Sequence, residues 1–220
     1  MNNSFLIIGL GKFGLTLTRR LVAEGKDVVV IDRVKSAIDE VADIVTCGIC
    51  GDPTDEEVLR AAGVQLCDVA IISIATPIDD SALITVLLKD KFKIKTVIAR
   101  AGSENHTLVL KKLGADAVIF PEKDLAENLA YRLSHSQISR YIELSRTGRI
   151  VELALPEKWE GKSIVELRLR QKYGVTVVAV TGPKGEEDYS PDPTVPLYAG
   201  EKLILIGNEE NIGKIVDAQS

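Results

Sequence analysis

The stretch "FLIIGLGKFGLTLTRRL" (residues 5–21) runs from an apolar segment through Gly9, Gly11 and Gly14 into a helical pattern with Phe13, Leu17 and Leu21 four apart. The spacing is G-x-G-x-x-G, placed after a predicted strand and opening a predicted helix, the context that gives the motif meaning. Gly9 permits a tight turn, Gly11 lets backbone amides approach a phosphate, and Gly14 lets the helix pack close to the strand. The helix N-terminus adds unpaired N–H groups and the positive end of a dipole. The next predicted strand, "DVVVID", ends in Asp32, within the roughly 20 residues at which a carboxylate meets ribose hydroxyls. Strand, motif, helix, strand and acid together predict a nucleotide site.

The kind of nucleotide stays open at this level. Asp32 repels a 2′-phosphate and disfavours NADP, while the neighbouring Arg33 works against that exclusion. Lys12 stands between the last two glycines. A cation above the cradle suits the extra charge of ATP or ADP, whereas a solvent-facing lysine leaves NAD equally suited. Further along, "GDPTDEE" puts Asp52, Pro53 and Thr54 after the third predicted strand, and "SIATP" puts Ser73, Ile74, Ala75 and Thr76 at the end of the fourth. In an open α/β sheet the ligand lies over these carboxyl ends. Turn and cap chemistry accounts for Asp52 and Thr54 as well as adenine contact does.

Outward from the motif, strand-like and helix-like segments alternate as far as "DAVIF" (residues 116–120), the pattern of a doubly wound parallel sheet. Predicted helices run over 13–24, 35–42, 55–62, 78–91 and 104–113. The third opens with Thr54 and Glu57 as a capping box, and Gly25, Gly63 and Gly114 stand as left-handed C-caps. A long helix is expected from Lys123 to about Ser145. The texture then changes: "RIVELAL" alternates, Ser163 and Glu166 form a second capping box, Gly174 stops a short helix, and a hairpin turns at Gly-Pro-Lys-Gly. The expected organisation is a Rossmann domain over 1–140, its crossover helix continuing to about 145, and a small α+β domain over 146–220.

The 220 residues are 45% hydrophobic but only 5% aromatic, a Val/Ile/Leu/Ala mixture that suits buried parallel strands. A net charge of −5 argues against a nucleic-acid partner, whose footprint is basic. "MNNS" lacks the positive n-region of a signal peptide, and no apolar run reaches the roughly 18 residues of a membrane span. The odd set of Cys47, Cys50 and Cys67 fits a reducing cytosol. Cys47 and Cys50 form a C-x-x-C without the further ligands of a zinc site, and are expected to be small buried residues. His106 and His135 each stand alone, without the partners of a nucleophilic or general-base site.

These residues carry a resemblance. "IIGLGKFG", "VVVIDR", "GDPTDEEVLRAAG", "ARAGSENHTLVLKKLGADAVIFPEKDLA" and "PLYAGEKLILIG" resemble the cytosolic regulatory subunits of Ktr/Trk potassium-uptake systems, over nearly the whole chain. Members contain RCK domains, regulators of potassium conductance. The rival reading is an NAD-dependent oxidoreductase, but no histidine follows His135, and the short α+β module reads as a regulatory binding module, so no enzyme is expected. The resemblance implies a homo-oligomer, dimers building a ring (commonly an octamer), cytoplasmic and held at the inner face of the membrane by a potassium-translocating subunit. Trk-type members are associated with NAD(H) and Ktr-type members with ATP and ADP. The Ktr pattern "GLGRFG" matches here with Lys12 in place of arginine, a point charge without the guanidinium fork. By the same resemblance Gly9, Leu10, Gly11, Lys12 and Phe13 form the phosphate loop, Asp32 holds the ribose, Asp52, Pro53 and Thr54 border the adenine, and Arg100 lines the far side. Glu122 matches an acidic position that binds a divalent or monovalent cation beside the phosphates at a dimer interface, although a carboxylate in a first helical turn is favourable without any metal. Arg170, Val175 and Pro191 fall near the position that takes cyclic di-AMP, although Arg170 equally suits the exposed face of a helix.

Overall fold

In the first strand, β1 (Ser4–Ile8), Leu6, Ile7 and Ile8 are all fully buried. Successive side chains point to opposite faces, so this strand is covered on both sides. That is the signature of a central parallel strand. The computed structural model describes residues 4–217, and these fall into two units, the first ending at Glu122 and the second beginning at Lys123.

The first unit alternates without interruption: α1 (Lys12–Ala23), β2 (Asp27–Asp32), α2 (Lys35–Asp39), β3 (Cys47–Cys50), α3 (Glu56–Ala61), β4 (Val69–Ile72), α4 (Ile78–Val86), β5 (Thr96–Arg100), α5 (Glu104–Lys112) and β6 (Ala117–Ile119). The six strands are parallel in the order β3-β2-β1-β4-β5-β6, the doubly wound order with its switch point between β1 and β4. One core gathers Leu6, Ile8, Ile31, Leu59, Ile72, Ile84, Leu88 and Leu110 on one face. Ile7, Val28, Val30, Ile38, Val41 and Ile71 fill the other. Gly25, Gly63 and Gly114 all carry the positive φ expected of left-handed caps.

The second unit takes most of α6 (Pro121–Ser134), then β7 (Ile138–Glu143), β8 (Gly148–Ala154), α7 (Ile164–Leu167), α8 (Leu169–Tyr173), β9 (Thr176–Thr181), β10 (Glu187–Asp188), β11 (Lys202–Asn208) and α9 (Glu209–Asp217). Its antiparallel sheet runs β10-β9-β11-β8-β7. Val151 and Leu153 of β8, with Leu203 and Leu205 of β11, pack on Leu167, Leu169, Ile212 and Ile215. This is the alternation read in "RIVELAL". The Ser163–Glu166 capping box forms, and Gly174 ends α8 in the left-handed region.

Three expectations are corrected. The helix expected to reach about residue 145 ends at Ser134, and 138–143 form a strand paired with β8. A register shift between Ile138 and Arg140 breaks the two-residue alternation that would have marked it. The N-cap of α3 is Asp55, which accepts from the Glu57 amide. Thr54 is not the cap; its hydroxyl donates to Asp52. The cysteines are not uniformly buried: Cys67 is, but Cys47 is half-buried and Cys50 exposed, because β3 lies at the sheet edge.

Candidate functional site

Over the switch point the chain leaves β1 at Gly9, whose φ of +94° only glycine adopts easily. A side chain there would also stand 2.8 Å from Ile74 Cγ1. Gly14 is required for another reason. A Cβ on it would land on the Gly9 carbonyl oxygen, with Ser73 Oγ 2.9 Å away. The two outer glycines are thus needed by the protein itself.

Gly11 differs from both. Its backbone is ordinary (φ −61°, ψ −177°), and a Cβ would meet nothing within 4 Å. The space above the motif is open at that one residue. Gly11 also caps α1 without a side-chain hydrogen bond, and no acidic residue occupies the first turn. The first backbone bond of the helix runs from Leu15 N–H to the Gly11 carbonyl, so the amides of Lys12, Phe13 and Gly14 have no intrahelical acceptor. An anion fits this arrangement on charge, donors and space.

Around this cradle the carboxylate of Asp32 is fixed from two sides. Oδ2 accepts the Leu10 N–H at 2.5 Å and Oδ1 accepts the Val34 N–H at 2.7 Å. Each oxygen keeps a lone pair for a ribose hydroxyl. Lys12 is exposed, and no partner for its ammonium stands among the described residues. Arg100 lies over the Phe13 ring at 6.0 Å, donates to the Ser73 carbonyl at 3.5 Å and is ion-paired with Glu122. Its Nε and the Ser73 hydroxyl are buried without a hydrogen-bond partner. Buried polar atoms are normally satisfied, so these two are exceptions, the Ser73 hydroxyl standing beside Gly14. The Glu122 carboxyl is held below the usual range by its own backbone amide and then by Arg100.

On the ribose side Arg33 bridges Asp52 and Asp80, each at 2.7 Å. The Arg33 hydrogen bond, followed by those of Thr54, holds the Asp52 carboxyl at about 2. Pro53 is buried, Thr54, Ile74 and Ala75 are half-buried, and Thr76 is exposed. Sequence reading missed two features. Asp80 sits 47 residues from Arg33 in the chain, with no local signal linking them. His106, expected to be alone, is buried against Ser81 Oγ at 2.8 Å and accepts the Gly102 N–H at Nδ1. Burial pushes its pKa down. His135 caps back onto the Tyr131 carbonyl.

In the second unit Arg170, Val175 and Pro191 all line one cavity of about 450 Å³, together with Arg168 and Tyr189. Arg170 is exposed, and Val175 forms part of the buried floor. Among the described residues no group of three or more His, Cys, Asp or Glu could hold a metal ion. No helix among the described residues is long and apolar enough to cross a membrane.

The TrkA-N domain model matches residues 5–121 and the TrkA-C domain model residues 149–219. Ktr system potassium uptake protein C of Bacillus subtilis is 33% identical over 214 residues, covering 97% of this chain and 96% of that one. Protein A of the same organism is 33% identical over 211 residues, covering 96% and 94%. Among solved structures, the GsuK RCK domain superposes with a TM-score of 0.58 at 28% identity. The GsuK channel bound to NAD gives 0.57 at 27%. Both cover 99% of this chain, which spans 46% and 38% of those longer chains. With both domains matched in order and near-complete coverage of the two Bacillus proteins, the chain belongs to the Ktr/Trk family of potassium-uptake regulatory proteins, an RCK protein made of a TrkA-N domain followed by a TrkA-C domain.

Proposed function

We propose that this chain is a cytoplasmic regulatory subunit that binds an adenine nucleotide in its TrkA-N cleft and switches a membrane potassium-translocating partner between states, with no turnover of the nucleotide. The observation that carries the reading is the open space at Gly11 above the unfilled N-terminus of α1, beside the oriented carboxylate of Asp32. The site binds and discriminates; two conformations of unequal nucleotide affinity are sufficient for a switch.

ATP and ADP are the ligands proposed. The ammonium of Lys12 at the first residue of α1 offers a charge to phosphates beyond the first, and the Ktr relatives share the chain's full length. NAD(H) is the second reading, favoured by the GsuK channel bound to NAD. Glu122 is proposed as a cation ligand beside the phosphates, and the Arg170–Val175–Pro191 cavity as a cyclic di-AMP site. Assembly into a homo-oligomer is supported by α6, where Leu125, Leu129 and Leu133, four residues apart, are all exposed. A continuous leucine stripe in water is a surface for another helix. The ring, the membrane partner and the cytoplasmic location at the inner membrane face belong to the same proposal.

The test is calorimetry of ATP, ADP, NADH and NADPH on the purified full chain, with Lys12→Ala as the paired variant. ATP and ADP should bind more tightly than NADH, and the variant should lose affinity for ATP more than for NADH. NADH clearly tighter than both would overturn the ATP/ADP reading and leave the NAD(H) one.

A further inference from the structure

Arg33 directly follows the ribose acid Asp32 at the end of β2. Next to a carboxylate at the end of β2, an arginine is the group that would receive a 2′-phosphate. Here both edges of its guanidinium are already engaged. Nη2 donates to Asp52 and Nη1 to Asp80, each at 2.7 Å. Asp80 is the more sheltered partner, its side chain 18% exposed against 43% for Arg33 and 48% for Asp52. Asp52 is oriented in turn by the Thr54 amide at 2.9 Å and the Thr54 hydroxyl at 2.6 Å. The arrangement ties together the loops that follow β2 and β3 and the first turn of α4.

We propose that Asp80 is a specificity-determining positioning residue: with Asp52 it clamps Arg33 away from the ligand, so that the cleft accepts an adenosine ribose with a free 2′-hydroxyl and rejects one bearing a 2′-phosphate. The inference rests on the nucleotide reading above and deepens it. A 2′-phosphate would meet Asp32, Asp52 and Asp80 with one guanidinium among them, a local excess of two negative charges. Recruiting Arg33 would strip Asp80 of its cation in a partly desolvated setting, which is unfavourable. Isolated surface pairs are weak, but here one planar fork meets two carboxylates, one of them further fixed by Thr54, and such forked pairs are the stronger kind. The Asp52 carboxyl at about 2 and the raised Arg33 value keep both partners charged at any working pH.

The experiment compares ADP-ribose with 2′-phospho-ADP-ribose on the full chain and on Asp80→Asn. Wild type should bind ADP-ribose at least about tenfold more tightly, a floor below the full cost of a like-charge juxtaposition because the site is partly exposed to solvent. In Asp80→Asn, measured at a temperature where the variant is fully folded, ADP-ribose affinity should hold and the ratio should fall by roughly threefold or more, as Arg33 becomes free to turn. A merely structural role for Asp80 would weaken both ligands together and leave the ratio as it was. Equal binding of the two ligands by wild type overturns the inference without any variant, as does an unchanged ratio in Asp80→Asn, and both outcomes leave the nucleotide reading standing. If wild type binds neither ligand but binds ATP or ADP, the inference falls and the nucleotide reading stands; if it binds none of the four, both fall.

Discussion

Two alanine substitutions in the glycine motif separate what the fold needs from what a ligand needs. In Gly14→Ala the new methyl would overlap the Gly9 carbonyl oxygen and press on Ser73 Oγ at 2.9 Å and the Gly9 carbonyl carbon at 3.1 Å. The struck atoms are largely backbone, so α1 must move off β1. Overpacking costs about 1–3 kcal/mol, occasionally more, and relief through the main chain puts this case at the upper end. In Gly11→Ala the methyl meets no protein atom within 4 Å and the backbone is already suited to alanine. Alanine is a poorer N-cap than glycine by several tenths of a kcal/mol or more. Stiffening the unfolded chain returns about 0.4–1 kcal/mol. The two nearly cancel, and stability should stay within about 1 kcal/mol of wild type. Binding should respond differently. A methyl placed where a phosphate must approach costs about 1–3 kcal/mol, roughly five- to 150-fold in Kd. Denaturant unfolding of both variants and calorimetry of Gly11→Ala measure these quantities. If Gly11→Ala unfolds as early as Gly14→Ala, the space above residue 11 is not open. Wild-type affinity in a folded Gly11→Ala would remove the phosphate cradle from the mechanism.

Three further outcomes are expected. His106 is held neutral by burial and accepts the Gly102 N–H. Its folded pKa lies below the unfolded 6.5, so its contribution is fully present above pH 6.5 and is lost as pH falls through the folded value. Melting temperatures from pH 7.5 to 5 should decline in wild type and flatten in His106→Gln. Ser163→Ala removes the hydroxyl that accepts the Glu166 amide, one half of the capping box, and chemical denaturation should show a loss of about 1 kcal/mol. Glu122→Gln should abolish any enhancement of ATP binding by divalent cations in titrations with and without the metal; an unaltered enhancement would discard Glu122 as a ligand.

What could be read from the sequence was whatever the chain encodes locally. Gly9, Gly14 and Asp32 act within one strand–helix–strand unit, so spacing was sufficient to place them, and Ser163 with Glu166 needs only three residues. Contacts across the fold had no such signature. Arg33 finds Asp80 on another helix, and Ser81 reaches His106 across 25 residues. Local reading also failed where two local signals competed. Thr54 and Asp55 are both good caps, and the Thr54 hydroxyl is spent on Asp52, leaving Asp55 to close α3. In β7 the irregularity after Ile138 hid a strand inside a stretch free of helix breakers.

The strength of the Lys12 contact also bears on why such a regulator would assemble. The ammonium is exposed, so its attraction for one additional phosphate charge at about 4 Å is on the order of 1 kcal/mol in water and at most about 4 at an effective dielectric of 20. The lower figure belongs to an open rim, and if the contact is made in only one of two states it gives only a several-fold preference for that state. Moving a two-state equilibrium from 1:99 to 99:1 takes about 5.5 kcal/mol of differential affinity. The Lys12 charge of one copy does not provide that, whereas roughly six copies coupled in one concerted assembly would, each adding about 1 kcal/mol to the same transition. If the proposed assembly forms through the exposed leucines of α6, it would add such small preferences at separate clefts together. A variant that binds nucleotide normally but stays monomeric should lose the steepness of any nucleotide response while keeping its midpoint near the single-site Kd.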